Sequence, residues 1–405
     1  MRIAYVTQWF EPEPNIVKGV AFVRALEQAG HQVTVVTGFP NYPTGRIYAG
    51  YQLRPIQHET VGGVRVVRLP LYPSHDRSSV RRSLNFLSFF VSALLYLRFR
   101  RTRFDLAYVY HPPITVGLAS ALAGIPFVLD VQDLWPDTIA ATGMRGAAKL
   151  ARPLGACCGF VYARASAIIA QSEGIRQRLI ERAVPPAKVS VVRNWADAEF
   201  RAVEETPIRS DRFTIVYGGN LGRAQQLGNV IDAARILQER RPDIRIVMFG
   251  SGVDEADLRR TAREAGLANI VFAGRVPPEE IGRRFAEADA LLLHLGDDPL
   301  FAITIPSKTQ YYLAMGRPIV AAVNGEAARI LRDSGAAILV PPTDPQALAD
   351  AMTRMADTPT EMRQQMGRAG ADYYRRHFSF HEGIGRTIEL LKRTYGKEIG
   401  GQVHR

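Results

Sequence analysis

The stretch PLFAITIPSKTQYYLAMGRPIVAAVNGEAA, residues 299–328, decides how the second half of this chain is expected to fold. Pro306 stands where a helix would begin, Ser307 is the predicted cap of that helix, and Gly316 is its predicted stop signal. The apolar run over residues 318–323 then predicts a short buried strand. This order of loop, helix and strand is typical of an α/β protein.

A second helix follows the strand. Asn324 and Gly325 form a predicted turn, and Glu326 opens the helix. Each helix N-terminus offers unpaired backbone N–H groups and the positive end of a helix dipole, and Lys308 adds a full charge at the first one. We therefore predict a phosphate or diphosphate site here, with an ordinary turn and a surface lysine as the alternative.

Length and charge narrow the class of protein. A chain of 405 residues favours two domains of about 200 residues each. The net charge of +12 calls for an anionic partner: nucleic acid, anionic lipid or a phosphorylated substrate. The only cysteines, Cys157 and Cys158, are adjacent and fit neither a disulfide framework nor a metal site, which favours a reducing cytosol. We predict no membrane-spanning helix and no signal peptide.

The first half alternates apolar strands with helical segments. Because the strands are continuously apolar, they are typical of a parallel sheet that is buried on both faces. We predict a doubly wound α/β domain over residues 1–195. The first predicted helix covers residues 18–29 and lies between strands that start at Ile3 and Gln32. The further predicted strands are 64–69, 105–110, 126–131, 166–171 and 189–193.

The second half repeats this plan over residues 213–378. Its predicted strands begin near residues 213, 244, 269, 289, 318 and 337. The polar segment 196–212 is the predicted linker, and residues 379–405 form a helical tail. Two such Rossmann-like domains in tandem favour a ligand in a cleft between them, at the carboxyl ends of both sheets.

The segment PSKTQYYLAMGRPIVAAVNGEAA, 306–328, resembles the donor site of retaining family 4 glycosyltransferases of the GT-B fold. More narrowly, it resembles the bacterial enzymes that build O-antigen and capsule units on a lipid carrier, including N-acetylfucosamine transferases. The resemblance implies a nucleotide-sugar donor, expected to be UDP-linked, in the second domain. It also implies a polyprenyl-diphosphate-linked sugar acceptor in the first domain, no cofactor, and a tail that crosses back to the first domain.

The resemblance also implies which residues bind the donor. The loop 218–223 is similar to the diphosphate loop of the family, and residues 275–276 are similar to the backbone that cradles the nucleotide base. The predicted donor-binding residues are Gly219, Asn220, Arg223, Gly250, Arg275, Val276, Ser307, Lys308, Tyr311, Gly325, Glu326 and Ala327.

The chain departs from the family pattern in two places. The family has an arginine where Asn220 stands and a lysine near Gln225. The predicted substitutes for these cations are Arg223, Arg275 and Lys308. The two glutamates of the parent family correspond to Ile303 and Tyr311, neither of which is a carboxylate. Glu326 and Tyr311 are therefore the candidates for the ribose contact.

Polar side chains follow the predicted strand at 126–131. Asp130, Gln132 and Asp133 would lie at its carboxyl end, where acidic groups can position an acceptor hydroxyl or stabilise positive charge at an anomeric carbon. His111 follows the preceding strand and is a fourth catalytic candidate, with a structural role as the alternative. Trp135 is either a platform for a sugar ring or part of the core.

Two loops of the first half are candidates for binding the acceptor. Gly19 would let a phosphate approach the N-terminus of the first helix, unless this position is a plain helix cap. The loop FPNYPTGRIYAGY, 39–51, resembles the variable acceptor loop of the family, which makes Asn41 and Tyr42 acceptor-binding candidates.

The segment RRSLNFLSFFVSALLYLRFRR, 81–101, combines a short apolar run with arginines at both ends. Such a helix is typical of a monotopic anchor in an anionic leaflet. We expect Phe86, Phe89 and Phe90 to face lipid, and the protein to be peripheral on the cytoplasmic face of the cell membrane. The alternative is a core helix whose phenylalanines face the sheet.

The expected activity is therefore metal-independent transfer of a sugar, expected to be an N-acetylated amino sugar, with retention. Asp297 and Asp298 are adjacent carboxylates without supporting ligands, so we predict no metal site. No GxGxxG follows the first strand, which argues against a dehydrogenase. Two alternatives are a UDP-sugar 2-epimerase of the same fold and a basic nucleic-acid-binding protein. The basic residues are spread through both halves, so nucleic acid is not an expected partner.

Overall fold

The structure is a computed structural model that describes residues 1–14, 17–74, 78–138, 147–196 and 212–403. The chain divides into two compact units, which are Met1–Val192 with Gly383–Arg405, and Arg193–Glu382. The first unit thus ends slightly before the predicted boundary at residue 195. Most of the predicted linker, residues 197–211, lies outside the described part of the chain.

The first unit is built on a mainly parallel sheet. Its strands are β1 (Arg2–Val6), β2 (Gln32–Gly38), β3 (Gln57–Val61), β4 (Val64–Leu69), β5 (Leu106–His111), β6 (Phe127–Val131), β7 (Ala167–Ala170) and β8 (Val189–Val191). Their spatial order is β3-β4-β2-β1-β5-β6-β7-β8, so the chain order reverses between β1 and β5. The helices are α1 (Val20–Gln28), α2 (Ser79–Phe99), α3 (Ile114–Ala123), α4 (Ala147–Arg164) and α5 (Glu173–Glu181).

The edge strand β3 was not predicted from the sequence. It pairs antiparallel with β4, and its side chains alternate between half-buried and exposed. Gly62 and Gly63 turn the chain between the two strands with φ angles of 56° and 86°. Because β3 is polar, it lacks the apolar run that marks the inner strands, and only the Gly-Gly turn indicates a hairpin.

The second unit contains a parallel sheet of β9 (Phe213–Gly218), β10 (Ile244–Phe249), β11 (Ile270–Gly274), β12 (Ala290–His294), β13 (Ile319–Ala322) and β14 (Ala337–Val340). The spatial order is β11-β10-β9-β12-β13-β14. The chain order reverses between β9 and β12. In doubly wound sheets, ligands bind at the carboxyl ends of the strands beside such a reversal.

The helices of the second unit include both helices predicted from residues 299–328. They are α6 (Gly228–Arg240), α7 (Glu255–Glu264), α8 (Pro278–Ala286), α9 (Pro299–Ala302), α10 (Ser307–Ala314), α11 (Gly325–Ser334), α12 (Pro345–Asp357) and α13 (Thr360–His377). The prediction of Ser307 as a cap is wrong, because Pro306 holds the cap position of α10 and Ser307 is its first helical residue. Gly316, just past α10, has the left-handed φ of 65° expected of a stop signal.

The last helix, α14 (Phe380–Val403), leaves the second unit and packs within the first. Ser166 donates a hydrogen bond to Glu398 at 2.7 Å, and Arg393 donates one to Ser190 at 3.1 Å. This is the course that the family resemblance implied for the tail.

The helix α2 contains the predicted membrane segment, and its apolar residues fall on two faces. Phe89 is fully buried, so the prediction that it faces lipid is wrong, while Phe86 and Phe90 are half-buried. The exposed apolar residues recur every three or four positions, and they are Val80, Leu84, Leu87, Val91, Leu95 and Phe99. We call this set the apolar stripe. Within the described residues, none of the helices has the length and apolar character needed to cross a bilayer.

Candidate functional site

Two glycine loops meet at the strand-order reversal of the second unit. Gly219 follows β9 with a φ of 138°, and Gly250 follows β10 with a φ of 134°. A β carbon on Gly250 would stand 1.8 Å from the carbonyl oxygen of Gly219, so a side chain cannot fit there without moving the loop. Glycine at both positions lets the two backbones pack closely and leaves the loop accessible to a ligand.

Lys308, the second residue of α10, lies over the first of these loops. A β carbon built on Gly219 would stand 2.5 Å from Lys308 Cε and 2.7 Å from Lys308 Nζ. The ammonium group also lies 4.9 Å from the centroid of the Tyr217 ring, which is cation–π distance. The fold thus brings together two predicted donor-binding residues that are far apart in the sequence.

The environment of Lys308 opposes its positive charge. Burial lowers the pKa of Lys308 to about 8, and the positive end of the α10 dipole lies at the same place. Among the described residues, no carboxylate forms an ion pair with this ammonium group. An uncompensated, half-buried cation costs free energy, and a bound anion would recover it.

Two buried tyrosines hold this arrangement in place. The hydroxyl of Tyr312 in α10 accepts a hydrogen bond from the backbone N–H of Gly218 at 3.0 Å. The hydroxyl of Tyr217 donates to the carbonyl oxygen of Asn220 at 2.6 Å. Burial raises the pKa of both hydroxyls, so both stay protonated at neutral pH. These two residues were not predicted from the sequence, because their positions are typical of ordinary core tyrosines.

The positions that lost the family cations are hydrogen-bonded to each other. Asn220 Nδ2 donates to Gln225 Oε1 at 3.4 Å. Arg223 begins a short 3-10 turn and has an exposed side chain. Arg275 is also exposed and Val276 is half-buried, and both follow the edge strand β11. Of the predicted substitute cations, Lys308 is the one whose side chain lies against Gly219.

The N-terminus of α11 carries the remaining predicted donor-binding residues. Gly325 has a φ of 67°, and a β carbon there would stand 2.0 Å from the carbonyl oxygen of Ala302. Glu326 is buried, and its Oε1 accepts a hydrogen bond from Arg329 at 3.3 Å. Other predicted residues nearby are the half-buried Ile303 and Tyr311 and the fully buried Ala327.

The adjacent carboxylates Asp297 and Asp298 form local hydrogen bonds. Asp298 accepts from the backbone N–H of Leu300 at 2.8 Å and caps α9, and Asp297 accepts from the Asn324 side chain at 2.9 Å. In the part of the chain that the structure describes, no cluster of three or more His, Cys, Asp or Glu residues is arranged to hold a metal ion.

The first unit contains a buried ion pair between Lys18 and Asp130. Both side chains are fully buried, and Lys18 Nζ contacts Asp130 Oδ2. The Tyr108 hydroxyl donates to the same oxygen, and Gln132 donates to the other carboxylate oxygen at 2.6 Å. This environment contradicts the predicted catalytic role of Asp130, because both carboxylate oxygens are bound inside the protein and neither reaches solvent.

The other predicted catalytic residues differ in access. His111 is fully buried, and neither ring nitrogen has a hydrogen-bond partner among the described residues. Burial lowers the pKa of His111 to about 3, so its ring is neutral. This environment favours a structural role for His111 over a catalytic one. Gln132 is half-buried and bonded to Asp130. Asp133 is half-buried, and burial raises the pKa of its carboxyl group.

The predicted phosphate site at Gly19 is contradicted by the structure. Glu11 Oε1 accepts a hydrogen bond from the backbone N–H of Val20 at 2.7 Å. A β carbon on Gly19 would stand 1.8 Å from that oxygen. The carboxylate of Glu11 therefore occupies the N-terminus of α1, where the phosphate was expected, and glycine is needed to admit it.

The predicted acceptor residues Asn41 and Tyr42 are held by Glu13. This buried carboxylate accepts backbone N–H groups from Asn41 at 2.9 Å and from Tyr42 at 2.8 Å. Asn41 is itself buried and accepts a hydrogen bond from Asn85 at 3.4 Å, so it supports the loop from inside. Tyr42 is half-buried, and its ring is partly accessible to a ligand.

Two family models match successive parts of the chain. The model described as a glycosyl transferase 4-like domain matches residues 20–195. The model described as glycosyl transferases group 1 matches residues 199–373. The first match lies largely in the first unit and the second largely in the second unit.

The chain is also similar to curated proteins and to solved structures. It is 26% identical to the probable glycosyltransferase WbjE of Pseudomonas aeruginosa, over 58% of this chain and 61% of that protein, which is less than two thirds of its length. It is 28% identical to the putative colanic acid biosynthesis glycosyl transferase WcaI of Escherichia coli (strain K12), over 73% of this chain and 76% of that protein. The Anabaena HepE structure superposes with a TM-score of 0.68 at 16% identity, over 97% of this chain and 99% of that one, which shows the GT-B fold.

Proposed function

Because the chain is a glycosyltransferase, with a glycosyl transferase 4-like domain followed by a group 1 domain, we propose that it adds a sugar to a lipid-linked acceptor in bacterial surface polysaccharide synthesis. The similarity to WcaI, whose name refers to colanic acid biosynthesis, supports this process. The donor is a nucleoside diphosphate sugar bound by the second unit, and the acceptor is a polyprenyl-diphosphate-linked sugar bound by the first unit.

The charge of Lys308 is the observation that carries the donor assignment. The ammonium group lies over the exposed backbone of Gly219, at the N-terminus of α10 and at the strand-order reversal. A diphosphate placed there would accept hydrogen bonds from Lys308 and from backbone N–H groups, and would compensate both the charge and the helix dipole. An uncharged ligand would not provide this compensation.

The proposed donor is a UDP-sugar. HepE, which shares the fold, was crystallised with UDP and glucose, and this supports the choice of nucleotide. The resemblance of residues 306–328 to N-acetylfucosamine-transferase-like enzymes favours an N-acetylated amino sugar and a retaining reaction. The ribose contact falls to Glu326 or Tyr311, which lie on α11 and α10.

The reaction breaks the bond between the anomeric carbon and the donor phosphate oxygen, and forms a bond from that carbon to an acceptor hydroxyl oxygen. For retention, the hydroxyl attacks on the face that the diphosphate leaves, and its proton passes to the departing phosphate. Lys308 and the helix N-termini stabilise the negative charge that develops on the diphosphate. Since protein groups supply this charge, we expect turnover to persist in EDTA, and loss of turnover that magnesium or manganese restores would contradict this point.

A lipid-linked acceptor would require the enzyme to work at a membrane, and the proposed location is the cytoplasmic face of the cell membrane. The apolar stripe runs along α2, and arginines flank it at both ends. An apolar face bounded by cationic residues fits a helix that lies in the plane of an anionic interface. The stripe would bury apolar area in the bilayer while Arg98 and Arg101, both exposed, meet anionic headgroups.

A donor panel tests the proposed function. Purified protein is incubated with UDP- and GDP-linked sugars, with and without a polyprenyl-diphosphate sugar acceptor, and nucleotide release and product are measured. We expect release of UDP that depends on the acceptor. Conversion of UDP-N-acetylglucosamine to its 2-epimer without any acceptor would instead support the epimerase alternative. Binding of single-stranded or duplex nucleic acid with no binding of any nucleotide sugar would contradict both.

A further inference from the structure

From the geometry of the first unit we infer that four aromatic residues form the platform on which the sugar ring of the acceptor stacks. They are Trp9, Tyr42, Phe86 and Trp135, which we call the aromatic row. Each of these residues is half-buried, so each leaves part of its surface accessible. This inference rests on the proposed function and specifies the acceptor site.

The aromatic row surrounds the strand-order reversal of the first sheet. Trp9 follows β1, Tyr42 follows β2, and Trp135 follows β6, so all three lie at the carboxyl end of the sheet. The fourth member, Phe86, lies in α2. In doubly wound sheets this edge, at the reversal, is where ligands bind. The row is therefore at the position where the fold favours a site.

Neighbouring rings of the row pack against one another at interplanar angles of 52° to 78°. The centroids of Trp9 and Tyr42 are 5.9 Å apart, those of Trp9 and Phe86 are 6.3 Å apart, and those of Phe86 and Trp135 are 6.3 Å apart. The ring of His111 is fully buried and packs edge to face with that of Trp135, with the centroids 5.8 Å apart. A pyranose ring has apolar C–H faces, which match the faces of aromatic rings.

Hydrogen bonds tie down the backbone that carries the row. Glu13 accepts backbone N–H groups from Phe10 at 3.1 Å and from Tyr42 at 2.8 Å, and so joins the loop that carries Trp9 to the loop that carries Tyr42. Arg182 donates to the carbonyl oxygen of Trp135 at 2.8 Å. A backbone that is already fixed loses little entropy on binding, so such bracing is typical of a preformed site.

The helix α2 links the row to the proposed membrane surface. Phe86 belongs to the row, whereas its neighbours Leu84 and Leu87 belong to the apolar stripe and are 47% and 51% exposed. A single helix thus presents one face to a sugar and an adjacent face to lipid. This arrangement suits an acceptor in which a sugar is attached to a polyprenyl chain.

Tryptophan fluorescence tests the inference directly. The chain has three tryptophans, and the third, Trp195, is buried in the second unit. A Trp195→Phe variant therefore reports on Trp9 and Trp135 alone. This variant is titrated with methyl glycosides of glucose, galactose, mannose and N-acetylglucosamine up to the solubility limit. We expect at least one glycoside to change the fluorescence in a saturable way.

Leucine substitutions then locate the response. Trp9→Leu, Tyr42→Leu, Phe86→Leu and Trp135→Leu are expected to lower the affinity for that glycoside about tenfold, the effect of losing one stacked ring. Phe160→Leu, at an exposed aromatic residue of α4, is the matched control and should leave the affinity unchanged. In the Trp195→Phe background, Trp9→Leu and Trp135→Leu each leave a single tryptophan, so their glycoside affinity is measured by calorimetry. Thermal melting confirms that each variant is folded.

Two outcomes overturn the inference. One is the absence of a response to every glycoside, and the other is equal affinity in the folded row variants and in the control. UDP binding is measured in parallel by calorimetry. If UDP binds but no glycoside does, the platform is refuted and the proposed donor site stands. If UDP does not bind either, the proposed function fails as well.

Discussion

The ammonium group of Lys308 stands 2.7 Å from the place that a β carbon of Gly219 would occupy. The lysine and the glycine loop are thus complementary in shape, because the missing side chain makes room for the cation. Since the loop follows β9 and the lysine lies at the start of α10, this contact assembles the proposed diphosphate site from two separate elements.

A Gly219→Ala substitution is expected to weaken UDP binding. The new β carbon would displace the Lys308 side chain, and the φ of 138° would be strained for alanine. We expect a loss of at least about 1 kcal/mol in UDP binding by calorimetry, together with a modest loss of thermal stability. Gly228→Ala, at an open position in α6, is the control and should leave UDP binding unchanged. Wild-type affinity in Gly219→Ala would contradict the contact.

UDP affinity is expected to fall as the pH rises through about 8. The pKa of Lys308 in the free protein lies near 8, below its ordinary value of 10.5. Because charging the buried amine is unfavourable, Lys308 also affects the free energy of unfolding. Its contribution is fully present above pH 10.5 and is lost as the pH falls to about 8. UDP prefers the charged form, so binding weakens once the amine is neutral. Calorimetry from pH 6.5 to 9.5 should show this step in the wild type, and Lys308→Met should lack it.

The buried pair of Lys18 and Asp130 is expected to be structural. Asp130→Asn would leave the Lys18 ammonium buried without its counter-ion, which costs about 3–5 kcal/mol of unfolding free energy. A Lys18→Met/Asp130→Asn double variant should recover part of this loss, as a double-mutant cycle in urea would show. An Asp130→Asn protein of wild-type stability that has lost turnover would return Asp130 to a catalytic role.

The apolar stripe is expected to bind membranes. Replacing Leu84, Leu87, Val91 and Leu95 with serine should release the protein from anionic liposomes in a flotation assay without unfolding it, because these side chains are exposed. Phe89→Ser is the contrasting variant, and it should unfold the protein because Phe89 is fully buried. Undetectable liposome binding by the wild type would contradict the membrane proposal.

Arginine substitutions separate the electrostatic part of membrane binding. Changing Arg98 and Arg101 to glutamine should weaken liposome binding by about 1 kcal/mol for each residue, and the effect should shrink as salt is added. The contribution of the apolar stripe should persist in high salt. If the serine variants of the stripe release the protein from liposomes but the arginine variants bind as well as the wild type at low salt, the anionic-lipid part of the proposal is contradicted.

The sequence predicted the elements of both sheets well because their inner strands are continuous apolar runs. It missed β3, whose polar residues carry no such signal. The role of α2 was only half predicted, since a short apolar run between arginines indicates an amphipathic helix but does not show which residues face inward. Phe89 proved to be core, and the exposed residues are leucines, valines and Phe99 at helical spacing.

Local sequence patterns likewise determined which site residues could be predicted. Lys308 and Gly219 were predicted to bind the donor from local signals, namely a helix start and a glycine loop after a strand, and the fold brings the two together. Asp130 was misassigned because its partner Lys18 lies in a distant loop, and no local pattern shows that the two meet. Trp9 and Phe86 were not predicted as site residues from the sequence, because only the fold brings them close to Tyr42 and Trp135.

Calorimetric titration of wild type and Lys308→Ala with UDP and with uridine tests the central claim most directly. Lys308→Ala should weaken UDP binding by about 1.5–3 kcal/mol, which is roughly 10- to 100-fold in Kd, because a charge-assisted contact is lost. Uridine lacks the diphosphate, so its affinity should be the same for both proteins, and Lys392→Ala, at an exposed lysine of α14, should match the wild type with either ligand. Equal UDP affinity in wild type and Lys308→Ala would contradict the claim that Lys308 binds the donor diphosphate.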